Sequence, residues 1–359
     1  MLKSAFFSSN SYMVELIRIS SRFLSIKVYN MEQKSKKSNL GVNKIDAVTK
    51  DAMEKLQETK NGIDGISTGL EKLDDILFGL KAGDVYTIGG RPSMGKTSFA
   101  MTLIDNIAVK QHVPILLFSM ECNAVRCVDR LIANHCTIPA ERIYSALLRP
   151  EEWERLDKRV GDLIGSPLYI EDSPSPNIDE IIQKSREIVE KHGIKIIFID
   201  YIQLIDTPYQ ANRTRNDDVA EIMHGIKSLA RELSLPIVLL SQLNRCPENR
   251  TGLEDKRPKL YDLRDSGTIE EDSDAIVFIH RPEAYHIYQD DNGRDLRNMA
   301  QIIIEKNRTG RTGEIILRFD GEYCRFSEQR KRSLLSEEPP VDNSSSADAE
   351  ALLKGPLPF

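Results

Sequence analysis

The segment Gly90-Arg91-Pro92-Ser93-Met94-Gly95-Lys96-Thr97 constrains this chain more than any other. It fits the pattern G-x-x-x-x-G-K-[ST]. It lies between an apolar run at residues 84–88, closed by Gly89-Gly90, and a helix-period segment at residues 96–109. A glycine-bounded loop between a strand and a helix aims backbone N–H groups and the positive helix end at an anion. Gly90 and Gly95 let the backbone curl. Lys96 offers a cation to the β and γ phosphates of a nucleotide, and Thr97 offers a hydroxyl to Mg²⁺. Short apolar runs recur at residues 113–118, 168–170, 195–199, 236–240 and 275–279. Helix-period segments stand at 178–191 and 218–233. Such alternation implies an α/β fold, a central and mostly parallel sheet covered by helices. Residues 301–305 and 314–319 flank 306–313 and read as a β-hairpin.

Composition removes some functions. The 359 residues carry 49 Lys and Arg against 55 Asp and Glu, a formal charge of −6. That excludes a histone-like blanket binder of nucleic acid but leaves room for a local basic strip. No apolar stretch of about 18 residues occurs, so no transmembrane helix and no membrane partner are expected. The five cysteines are scattered, with no C-x-x-C spacing, and read as small buried hydrophobes in a reducing compartment.

The ends differ from the middle. Residues 1–30 hold Lys3, Arg18, Arg22 and Lys27 against Glu15 alone, with many serines. They read either as a transit-like targeting segment or as a poorly structured leader before a start at Met31. Residues 1–44 are therefore expected to be disordered or targeting-like. Ile45, Val48, Met53 and Leu56 share one helical face, giving a short amphipathic linker helix over 45–61. A nucleotide-binding domain would occupy 62–327. The Ser-, Glu- and Pro-rich residues 328–359 form a tail expected to be disordered.

Three more strand ends carry chemistry. Asp200 closes an apolar strand and can hold Mg²⁺ beside the phosphate loop; a helix cap is the plainer alternative. Glu121 follows the strand at 115–118 and can orient and deprotonate water, or be a surface glutamate. Gln242 follows the strand at 238–240 and can sense a γ-phosphate, or be a solvated loop amide. Polar groups from four strand ends meeting in one crevice outweigh any one of them.

In this order the motifs resemble the C-terminal motor domain of DnaB-type replicative helicases, within the RecA-like P-loop NTPases. The residues that carry the resemblance are Arg91 to Thr97, Phe118-Ser119-Met120-Glu121, Ile199-Asp200-Tyr201-Ile202-Gln203-Leu204 and Leu240-Ser241-Gln242-Leu243-Asn244-Arg245. The narrowest block is Asp262-Leu263-Arg264-Asp265-Ser266-Gly267. The resemblance runs over roughly residues 62–326. It implies a RecA-like fold preceded by a linker helix, and a homo-hexameric ring that translocates on single-stranded DNA. ATP with Mg²⁺ would be hydrolysed at subunit interfaces. Carried over by position, Gly90, Arg91, Pro92, Ser93, Met94, Gly95, Lys96, Thr97 and Arg130 bind nucleotide, and Thr97 and Asp200 hold the metal. Glu121 is the base and Gln242 the sensor. Lys306 and Arg308 reach the γ-phosphate of an adjacent subunit, although basic residues on a hairpin are commonly just solvated. Arg264, Asp265 and Gly267 contact the DNA backbone. Asp265 departs from the glutamate usual at that place. The residues before the motor are too few for the helical domain that in the family builds a collar and engages primase. A primase or loader contact is thus uncertain, and a DNA-binding or loading ATPase without productive unwinding is the alternative. Bacterial cytoplasm is the expected setting, with an organelle as the alternative raised by residues 1–30.

Overall fold

In the computed structural model the described residues are 45–46, 49–50, 52–53, 62–207, 214–244, 256–263 and 266–328. The chain divides into two units, Met1–Lys60 and Asn61–Phe359. In the first unit, residues 45–46, 49–50 and 52–53 are helical, and the Thr49 hydroxyl donates to the Ile45 carbonyl at 2.7 Å. Ile45 and Met53 of the expected amphipathic face are exposed. The expectations for residues 1–44 and 329–359 lie outside the described residues.

The second unit is built on a nine-stranded sheet in the order β3-β2-β4-β5-β1-β6-β7-β8-β9. The strands are β1 (Val85–Gly90), β2 (Ile115–Ser119), β3 (Leu168–Glu171), β4 (Ile196–Asp200), β5 (Ile237–Gln242), β6 (Ala275–His280), β7 (Met299–Asn307), β8 (Gly313–Asp320) and β9 (Arg325–Glu328). Strands β3 through β6 pair in parallel, and β6 through β9 in antiparallel fashion. The helices are α1 (Glu71–Leu77), α2 (Lys96–Ile104), α3 (Ala124–Cys136), α4 (Ala140–Tyr144), α5 (Pro150–Ile164), α6 (Ile178–His192), α7 (Arg215–Leu233) and α8 (Ser266–Asp272).

The strand period of two splits the apolar residues between two cores. Tyr86, Ile88, Leu117, Phe198 and Leu240 point to one face, covered by Phe99 and Leu103 of α2 and Leu131 of α3. Leu116, Phe118, Ile197, Ile199 and Leu239 point to the other, covered by Ile178 and Ile181 of α6 and by α7. Helix α7 buries Val219, Ile222, Met223, Ile226, Leu229 and Ala230, the i, i+3, i+4 stripe that a sheet-packed helix requires. Both faces of the inner parallel strands are therefore dry, which is why those strands read as continuous apolar runs, while the edge strand β3 is half-buried.

Two elements depart from the expected pattern. The helix expected over 96–109 is α-helical only to Ile104 and continues as a π-helical turn, Asp105–Lys110. The hairpin arms are longer than expected, so Lys306 is not at a tip but inside β7, where it pairs with Ile276 of β6.

Candidate active site

The phosphate loop leaves β1 at Gly90 and enters α2 at Lys96. Gly95 has φ +93°, and a Cβ on it would lie 3.1 Å from the Phe326 ring. Gly90 is needed for a different reason than curling: a Cβ there would meet Lys96 Cγ at 3.0 Å. The other left-handed residue of the loop is Ser93, at φ 66°. Pro92, Ser93, Gly95, Lys96 and Thr97 line a crevice of about 430 Å³. Arg91 and Met94 turn inward and are buried. Arg91 donates to the Leu243 carbonyl at 3.3 Å and ties the loop to the end of β5.

A brace stands behind the loop. The Arg281 guanidinium lies 4.0 Å over the Phe319 ring and donates to the Ser93 carbonyl at 3.2 Å. Phe319 packs on Phe326 at 4.7 Å, and Phe326 on Phe99 of α2 at 5.1 Å. Sequence reasoning missed this brace. The Arg281-Pro282 step right after an apolar strand was its only signal.

The same crevice collects Glu121, Arg130, Tyr144, Tyr201, Gln242 and Cys324. Parallel register explains the convergence. Ser119 pairs with Asp200, Ile199 with Leu239 and Gly90 with Gln242, so β1 and β5 end only about two residues beyond β2 and β4, on the same side of the sheet. Strand β5 lies between the phosphate-loop strand and the Asp200 strand. Even so, the Thr97 hydroxyl reaches Asp200 Oδ2 at 3.0 Å. Met120 N–H donates to the Asp200 carbonyl at 3.0 Å, which holds the Glu121 turn beside β4. Glu121 itself is exposed to the crevice.

The electrostatics follow from burial. Burial pushes the Asp200 carboxyl up to about 6, with the nearby Glu121 adding to the rise and the Thr97 hydrogen bond and Lys96 opposing it. Burial also lowers the Lys96 ammonium pKa, against the pull of Asp200 and Glu121. Asp200 Oδ1 is buried without a protein partner, and so is Arg130 Nη1. An uncompensated carboxylate oxygen beside a hydroxyl suits a hard divalent cation, and an uncompensated guanidinium nitrogen suits a phosphate oxygen. Among the described residues no group of three or more His, Cys, Asp or Glu side chains gathers round a metal site. A magnesium ion fits this donor set only if bound phosphates and water complete its shell, which is how Mg²⁺ binds beside nucleotides.

Gln203 is a residue that sequence reasoning quoted but gave no role. Its amide accepts from Gln242 N–H at 3.1 Å and donates to the Gln242 carbonyl at 3.3 Å and the Ser241 hydroxyl at 3.1 Å. It thus holds both backbone groups of Gln242.

The remaining predicted residues lie elsewhere. Lys306 is the register partner of Ile276 at the start of β6, whereas Gly90 pairs with Ile279 near its end. Lys306 and Arg308 therefore sit toward the opposite end of the strands from their own phosphate loop. Gly267 is exposed in the first turn of α8. Arg264 and Asp265 lie outside the described residues. No helix among the described residues is long and apolar enough to cross a membrane.

Known proteins resemble this chain in sequence and fold. Residues 65–328 match the family described as the DnaB-like helicase C terminal domain. The replicative DNA helicase DnaB of Buchnera aphidicola subsp. Baizongia pistaciae (strain Bp) is 39% identical over 317 residues, 87% of this chain and 66% of that protein. The chain thus spans just under two thirds of that relative's length. A solved ATPase domain superposes with a TM-score of 0.74 at 33% identity, over 80% of this chain and 99% of that one. A solved DnaB-like replicative helicase, described with its interactions with primase, gives 0.72 at 31% identity, over 90% of this chain and 78% of the other. With the family matching through the phosphate loop, the Asp200 strand and the β7–β8 hairpin, this chain belongs to the DnaB-like helicase C-terminal domain family.

Proposed function

We propose that the chain is an ATP-driven motor that translocates on single-stranded DNA in replication, and that it hydrolyses ATP at the interfaces of a homo-hexameric ring. One observation carries the interface part. The crevice holds a phosphate loop and a glutamate, with the Asp200 carboxylate bonded to Thr97, yet the basic pair Lys306 and Arg308 lies toward the other end of the strands. A second copy is the natural source of the missing cations.

In this reading the loop N–H groups and Lys96 bind the β and γ phosphates, and Arg130 takes a further phosphate oxygen. Thr97 and Asp200 would hold Mg²⁺, which would supply positive charge beside the phosphates. Glu121 accepts a proton from the attacking water as its oxygen bonds to the γ-phosphorus and the bond to the β–γ bridging oxygen breaks. Gln242 hydrogen-bonds the γ-phosphoryl group. Arg308 and Lys306 of the neighbour stabilise charge on its equatorial oxygens, worth ~10³–10⁵ in rate for a finger supplied in trans. Arg264, Asp265 and Gly267 track the DNA backbone, the arginine pairing with phosphate.

Mixing Arg308→Ala with Glu121→Ala tests the shared site. Each variant alone is expected to be inactive, and the mixture to regain turnover at interfaces that combine one intact half from each. Absence of recovery refutes the shared site. A strand-displacement assay then separates a helicase from a loading ATPase: DNA-stimulated hydrolysis without unwinding, at concentrations where rings form, selects the latter.

A further inference from the structure

Arg308, just past the end of β7, does not stand free. One guanidinium nitrogen meets Asp274 Oδ1 at 3.4 Å, and a second donates to the Glu271 carbonyl. Its own N–H donates to the Asp274 carbonyl at 2.8 Å. Lys306 donates to the Glu270 and Glu271 carbonyls, the last turn of α8. Asp274 is itself fixed. It is 7% exposed, its Oδ2 accepts Val85 N–H at 2.8 Å, and the same oxygen is paired with the Lys227 ammonium. Lys227, also 7% exposed, extends from α7 and donates to the Gly83 carbonyl at 3.1 Å.

The chain of contacts runs from the buried face of α7, through Lys227 and Asp274, to Arg308. A buried ammonium and carboxylate in direct contact hold a fixed place, because separating them strands a charge in the interior. A guanidinium has five N–H donors in a rigid fork. Two contacts orient Arg308 while nearly half its side chain stays exposed, at 45%. A cation so restrained loses little freedom when it meets an acceptor, the condition for efficient electrostatic catalysis.

We propose that Asp274, held by Lys227, is the positioning residue that presents Arg308 to the neighbouring subunit's nucleotide. This rests on the shared-site reading above. Its consequence is specific: Asp274 acts on the adjacent crevice and not on its own, although it is bonded to the first residue of the strand that carries its own phosphate loop.

The test uses the full chain with Mg²⁺-ATP and single-stranded DNA. Asp274→Asn is expected to lower kcat roughly ten- to a hundredfold, the cost of a misplaced catalytic group. The KM for ATP should stay within about twofold. Should Asp274→Asn unfold because Lys227 is left unpaired, the double variant Lys227→Met/Asp274→Asn removes both charges and serves instead. Mixed with Glu121→Ala, the Asp274 variant should regain turnover; mixed with Arg308→Ala, it should not, since both then lack the same half. Unchanged kcat, or no recovery with Glu121→Ala where Arg308→Ala does recover, overturns the assignment. If Arg308→Ala and Glu121→Ala fail to rescue each other, the shared-site reading falls first, and this inference with it.

Discussion

At Gly95 two constraints coincide, a φ of +93° and the Phe326 ring 3.1 Å from where a Cβ would stand. Gly95→Ala is expected to cost about 1–3 kcal/mol of stability and to weaken nucleotide binding, measured by thermal melting and nucleotide titration. Lys96→Ala should abolish hydrolysis, because the phosphates lose the loop cation that lines the crevice; turnover near that of the unaltered chain would reject the phosphate-loop assignment. Gln203→Ala removes the clamp on Gln242 and should lower kcat about tenfold, the worth of one well-placed hydrogen bond, with little change in nucleotide affinity. The motif residues could be read in the sequence because the loop's chemistry is contiguous. Gln203 and Arg281 could not, since their partners lie 39 and 188 positions away.

Helix α3 shows what element-level reading missed. Its buried His135 meets Asp105 of the π-helical turn at 2.7 Å and Asp162 of α5 at 3.3 Å. Lys110 also pairs with Asp105 at 2.7 Å. The Asp105 hydrogen bond raises the His135 pKa above its usual 6.5, against the opposing effect of burial. Burial alone would raise Asp105 above 3.8, but the His135 and Lys110 contacts outweigh it and bring it lower. The imidazolium's contribution is full below pH 6.5 and is lost as pH rises through the folded value. The carboxylate's contribution is full above pH 3.8 and is lost as pH falls through its lowered value. The cluster is therefore strongest between about pH 4 and 6.5. His135→Gln should lower Tm by about 2–4 °C at pH 6, and the deficit should shrink towards pH 9. A deficit that is flat with pH would mean that packing, not charge, holds the three elements. Local periodicity located α6 and α7 well. The π-helical turn continues an apolar period that an α-helix would share, so the pattern alone did not distinguish them.

For the whole molecule, a net charge of −6 makes any DNA grip a local one. DNA-stimulated hydrolysis should need more DNA as salt rises, linearly on logarithmic axes, and should be nearly indifferent to base sequence. A salt-independent response would argue against phosphate contacts. The sequence by itself determined the α/β class, the phosphate loop, and the acid and amide at the ends of apolar runs. All of these follow from local rules: side-chain period, turn chemistry and residue type. Only the tertiary structure decided that β5 separates β1 from β4 while Thr97 still reaches Asp200. It also decided that Lys306 and Arg308 stand toward the opposite strand ends from their own crevice, with Arg308 anchored on Asp274. Strand order and the end at which a side chain lies depend on which distant segments share hydrogen bonds, and no local pattern encodes that pairing.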